Sequence, residues 1–153
     1  MNIYAADEPY QTSVIAISGI TQIPWLKLLK PGFRHCFAII QQGEHWIICE
    51  GLSDRVQINQ ITTEQLPAYL ASLCSNGIRL HVVRTRRSGI GGSWMFRPFT
   101  CVELVKRLCD VRDRLMFTPH QLHRFLLEQN KNKKLRLSCN RLRSVRVNNT
   151  QPS

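Results

Sequence analysis

Acidic residues are scarce in this chain, ten against 21 lysines and arginines, and none follows Glu128. No apolar run approaches the ~18 residues that a membrane-crossing helix needs, which excludes a helical membrane span. The opening Met1 to Glu8 lacks the basic region and continuous apolar stretch of a secretory signal, which predicts a product that stays in the cytoplasm. No Cys-x-x-Cys pair and no His-x-x-x-His spacing occurs, so neither a metal nor a cofactor is expected. Internal repeats are missing as well, against a solenoid. The glycines of Ser88 to Ser93 are not followed by Gly-Lys-Ser/Thr, which leaves them a plain loop rather than a phosphate cradle.

What is present fits one domain. At 153 residues with 43% hydrophobic content, the chain can bury a single substantial core. With no signal peptide to imply an oxidising compartment, the six cysteines (Cys36, Cys49, Cys74, Cys101, Cys109, Cys139) read as thiols. The final 25 residues carry +7 of the net charge of +11. This divides the chain into a globular domain, 1–128, and a basic tail, 129–153, with too little apolar surface to order itself. Such a tail suits contact with a polyanion or serves as a solvating extension, and it has no aromatic residues for base stacking.

Hydrophobic periodicity gives the element order. Ser13 to Ser18 is a β-branched run ended by Gly19, and Trp25 to Lys30 is a brief amphipathic turn stopped by Pro31-Gly32. Arg34 to Ile40 and His45 to Glu50 read as a β-hairpin with Gln42-Gly43 as its turn, and Arg55 to Asn59 as a third strand. From Thr63, a candidate cap, the period changes: Leu66, Tyr69, Leu70, Leu73 and Cys74 form a helical stripe ended by Gly77. Ile78 to Val83 alternates as a strand running into Arg84 to Arg87. Thr100 and Glu103 form a capping box before Leu104, Val105 and Leu108, and Thr118-Pro119 opens a last helix whose buried face is Leu122, Phe125 and Leu126. The class is α+β.

Chemistry concentrates at Cys101. It stands in the first turn of a helix, where unpaired N–H groups and the helix dipole favour a thiolate and offer donors to an oxyanion. It also shares a helical face with Leu104, Val105 and Leu108, so a small core residue is the competing reading. His35 stands near the start of a strand, and with a Gln42-Gly43 turn it pairs directly with Glu50, whose carboxylate would then orient the imidazole. A surface histidine and a strand-end acid explain the same pair. His45 lies near the turn, His81 in a basic strand, and His120 and His123 on a solvated helix face; Trp94, Phe96 and Phe99 line a pocket or belong to the core.

The order of His35-Cys36-Phe37-Ala38-Ile39-Ile40, then Ile47-Ile48-Cys49-Glu50, then Cys101-Val102-Glu103-Leu104-Val105 resembles the circularly permuted NlpC-type branch of papain-like cysteine hydrolases. Lecithin:retinol acyltransferase-like proteins share the His-before-Cys order more distantly. The resemblance spans residues 13–127 and implies a papain-like fold with an antiparallel sheet packed on the helix that starts at Cys101. It implies Cys101 as nucleophile, His35 as general base and Glu50 as orienting acid, acting on a peptide, peptidoglycan or acylated substrate. Two other readings stand beside it: a non-enzymatic basic module binding nucleic acid or an anionic partner, and a virion or accessory structural protein.

Overall fold

A computed structural model describes residues 10–21, 24–52, 54–86, 100–111 and 115–133. Its elements are β1 (Tyr10–Ser18), a short 3-10 helix (Pro24–Leu28), β2 (His35–Gln42), β3 (His45–Gly51), β4 (Val56–Thr62), α1 (Leu66–Ser75), β5 (Arg79–Arg86), α2 (Cys101–Leu108) and α3 (Pro119–Lys133). The strands form one sheet in the order β4-β3-β2-β1-β5, antiparallel throughout. The α+β expectation holds at this level. Among the described residues no helix is long and apolar enough to cross a membrane.

Helices cover both faces of the sheet, and that explains the continuous apolar runs of its middle strands. Alternation marks a strand wetted on one side, whereas burial on both sides removes the polar positions. Val14 to Ile17 and Cys36 to Ile40 are buried without interruption. One face packs Ile15, Ile17, Cys36, Ala38 and Cys49 against Val102 and Val105 of α2 and Leu122 and Leu126 of α3. The other packs Val14, Ala16, Phe37, Ile39 and Ile48 against Leu66, Leu70 and Leu73 of α1. Each fully buried Ile or Leu contributes about 1.5–3 kcal/mol of transfer free energy. β4 has only one of its seven residues even partly buried, as befits an edge strand.

Local signals place the elements, with three corrections. The hairpin turn is Gly43-Glu44, since Gln42 pairs with His45. Gly43 has φ of 61°, a left-handed value that glycine adopts freely at the first position of a two-residue loop. α1 begins at Leu66 with Gln65 as its N-cap, not Thr63, whose hydroxyl donates instead to the Glu44 carbonyl at 2.7 Å. The helix ends as expected at Gly77, φ 73°, with Gly77 N–H donating to Cys74 O and Ile78 N–H to Leu73 O, the paired bonds of a Schellman cap. The third correction concerns the cysteines: Cys36, Cys49, Cys101 and Cys109 are free, but Cys74 is disulfide-bonded, so the all-thiol reading fails there.

α3 continues to Lys133, past the division placed after Glu128. The remaining tail, 134–153, the glycine loop from Ser88 to Ser93, and Trp94, Phe96 and Phe99 lie outside the described residues.

Candidate active site

Residue identity at the start of α2 sets the position of the thiol. Thr100 has extended backbone, and its hydroxyl accepts from the Glu103 N–H at 3.2 Å, fixing where the helix begins. Glu103 then turns along the helix toward Arg107, at 3.1 Å, and Lys106, at 3.5 Å. The buried stripe of α2 is Val102, Val105, Lys106 and Cys109, one position round from the expected Cys101, Leu104, Val105 and Leu108. That rotation leaves Cys101 only partly buried, at the margin of the core it packs against. α2 lies across β2 and β3, and a close approach is possible because residue 51 is glycine. A Cβ there would stand 3.1 Å from Leu104 Cδ2 and 3.5 Å from the Cys101 Cα.

His35 is the first residue of β2. Its Nε2 lies 2.9 Å from Glu50 Oε1. The side chains are mostly shielded, 14% and 31% exposed, so water competes weakly for this contact. The register differs from the one expected: Glu50 pairs with Phe37, and His35 meets it on the diagonal. Moving the two-residue turn by one position shifts pairing by two, which preserves the face, and diagonal neighbours remain within reach of long side chains. Phe37 stacks against the His35 ring with centroids 6.4 Å apart at 29°. Burial raises the pKa of Tyr69 on α1, and the nearby Glu50 charge adds to the shift.

Cys101 hydrogen-bonds with the side chains of both Cys36 and His35, and its pKa falls from 9.0 to about 4. The Cys36 thiol is the largest cause; burial opposes it, and the His35 hydrogen bond, the His35 charge and the Cys36 backbone add to it. His35 shifts the other way: burial lowers it, but the Cys101 contact and charge, then Glu50, outweigh burial and raise it above 6.5. Cys36 is pushed well above 9.0, by burial first and then by Cys101, so it stays a protonated donor. With Nε2 turned to Glu50, Nδ1 is the ring nitrogen left for the sulfur. Both shifts favour a thiolate beside an imidazolium.

The three expected residues therefore meet at one end of the sheet. Sequence reasoning missed Cys36, whose place one residue after His35 on the opposite face of β2 is legible only once α2 is known to pack on that face. His81 does sit in a basic strand, β5, with its ring buried at 6% exposure, whereas the solvated face expected for His120 and His123 is corrected: both are half-buried and turned toward Phe33. Among the described residues no group of three or more His, Cys, Asp or Glu side chains is placed to hold a metal ion. No family model matches the chain, and neither the curated proteins nor the solved structures give a match.

Proposed function

We propose that this chain is a cysteine hydrolase with a papain-like fold of the permuted NlpC type, cleaving an amide or ester carbonyl through an acyl-enzyme. The observation that carries the reading is the convergence of Cys101, His35 and Glu50, with the thiol driven to thiolate and the imidazole held by a carboxylate. The Cys101 thiolate attacks the carbonyl carbon, and the carbonyl oxygen becomes an oxyanion. Thr100 occupies the Glu103 amide, which leaves the Cys101 and Val102 amides of the first helical turn as donors to that oxyanion. His35, as imidazolium, gives its proton to the leaving amine or alcohol when the carbon–heteroatom bond breaks. It then takes a proton from water, the hydroxide adds to the thioester, and collapse releases the acid and restores the thiolate. Glu50 keeps the ring oriented and supports its positive form throughout.

The substrate class that suits this chemistry is a peptide, a peptidoglycan amide or an acylated amine or lipid. The test is a chloroacetamide probe on the native protein, read by peptide mass spectrometry, alongside a panel of aminoacyl anilides and acyl esters. Labelling is expected at Cys101 ahead of Cys36, Cys49 and Cys109, with turnover lost in Cys101→Ser and His35→Ala. If Cys101 labels no faster than Cys49, the reading is wrong.

A further inference from the structure

Two histidines of α3 meet around one aromatic ring, and a third, His81 of β5, touches one of them. Phe33, in the turn ahead of β2, lies edge-on to His120 with centroids 5.0 Å apart and beside His123 at 4.8 Å. Arg79, at the start of β5, lies over the same ring at 4.5 Å, and the Lys30 ammonium is 5.9 Å from its centre. Lys30 Nζ donates to His120 Nε2 at 2.9 Å, Arg79 Nη1 donates to the Gly32 carbonyl at 3.0 Å, and His81 Nε2 lies 2.8 Å from His123 Nδ1.

Every titratable group in this cluster is basic. Among the described residues none of Lys30, Arg79 and Arg124 has a carboxylate within ion-pair distance. The histidines bear the consequence. Burial first, then His123 and Arg79, lower His81 to about 4. His123 is lowered by burial and by Arg79, His120 and Lys30, and His120 by burial, Lys30 and Arg124. Cations gathered without counter-ions repel one another, and the face of Phe33 relieves only part of that. An oxyanion entering here would meet two side chains that donate charge-assisted hydrogen bonds, and it would relieve the repulsion as well.

The cluster sits beside the reacting pair. Phe33 precedes His35 by two residues, at most ~7 Å of chain. Arg79 pairs with Ile17, adjacent in the ladder to the Ser18–His35 pair. Phe33 and Cys101 pack against the same apolar layer. We propose that Lys30 and Arg79, backed by Phe33, His120 and His123, form a subsite for an oxyanion group of the substrate, a carboxylate or a phosphate, while the scissile carbonyl lies at Cys101. This rests on the hydrolase reading and narrows its substrates to those carrying a negative charge near the cleaved bond.

Two measurements on the full chain test it. The first follows the histidine ring signals by NMR during titration with inorganic phosphate, and separately with succinate, at constant ionic strength. The His120 and His123 midpoints are expected to rise, with affinity roughly tenfold weaker in Lys30→Gln and in Arg79→Gln; the stronger of the two anions identifies the group bound. Lys30 is exposed, so its variant serves if Arg79→Gln does not fold. The second compares Cys101 alkylation by bromoacetyl-glycylglycine as free acid and as amide. The acid is expected to react several-fold faster, with the ratio collapsing toward one in Lys30→Gln. Unmoved histidines, or an acid-to-amide ratio that the variant leaves unchanged, overturn the subsite while prompt alkylation by both reagents keeps the hydrolase reading. Failure of both reagents at Cys101 overturns the two together. If a single-stranded oligonucleotide shifts the histidines and the small anions do not, the cluster is a nucleic-acid contact and the proposal is wrong.

Discussion

Glu50 reaches His35 along the diagonal of the β2–β3 ladder, its Oε1 2.9 Å from the ring Nε2, while Phe37 occupies the position directly opposite Glu50 and stacks on the same imidazole. The carboxylate and the phenyl ring thus hold the histidine from two directions on one face of the sheet. Under the proposed mechanism Glu50→Gln should lower kcat about tenfold and His35→Ala about 10²-fold or more. The double variant should be scarcely worse than His35→Ala, because residues that act as one unit are not additive. Steady-state kinetics on any substrate found would check this, and independent, additive losses would place Glu50 in another site.

The depressed pKa of Cys101, about 4, fixes its reactivity with pH. Alkylation by iodoacetamide should stay near its plateau from neutral pH down to about pH 5, where an ordinary cysteine of pKa ~8.5 is almost wholly protonated. Removing the largest cause should reverse much of this. In Cys36→Ala the alkylation midpoint should climb by at least a unit toward neutrality, and an unshifted midpoint would show that the Cys36 thiol does not act as a donor.

Stability should fall in acid partly through His81. Its folded pKa of about 4 lies below the ordinary 6.5, so between those values the unfolded chain binds the proton more tightly. The contribution is whole above pH ~6.5 and is lost as pH falls toward 4, on the order of 3 kcal/mol across that window. Urea unfolding of His81→Gln should show a shallower slope of stability against pH over that range than the parent. Parallel slopes would mean that the ring is not titrating as described.

Gly51 tests whether close helix packing positions the thiol. Gly51→Ala meets a flexible Leu104 methyl at 3.1 Å and should cost little, since that methyl can move. Gly51→Val adds branches against the Cys101 backbone and should cost about 1–3 kcal/mol by overpacking, with slower Cys101 alkylation in the fraction still folded. Alkylation at the parental rate in folded Gly51→Val would separate the α2 position from thiol reactivity.

Much of the site could be read before the fold because its signals are local. Thr100 and Glu103 mark the start of α2 at Cys101, and the apolar runs on either side of Gly43 mark the hairpin that carries His35 and Glu50. The register was misread because Gln42-Gly43 and Gly43-Glu44 both contain the glycine, and only the position of its left-handed backbone decides between them. The error shifted pairing by two, an even step, so Glu50 stayed on the His35 face. The Cys36 contact and the cluster around Phe33 were not legible. They depend on which face of the sheet α2 and α3 cover, and His120 and His123 flanking a polar Gln121 carry no such information in their spacing.

β2 sends Phe37, the ring that stacks on His35, to the layer built with α1 and Cys36 to the layer built with α2, where Cys101 packs, so the supports of the base and of the nucleophile are moored on different sides of the sheet. The separation of base and nucleophile therefore works as a vernier on how the two layers are seated. A slackened layer on either side draws sulfur from nitrogen while every ladder bond of the sheet survives, and on warming the chemistry should fall silent before the strands part.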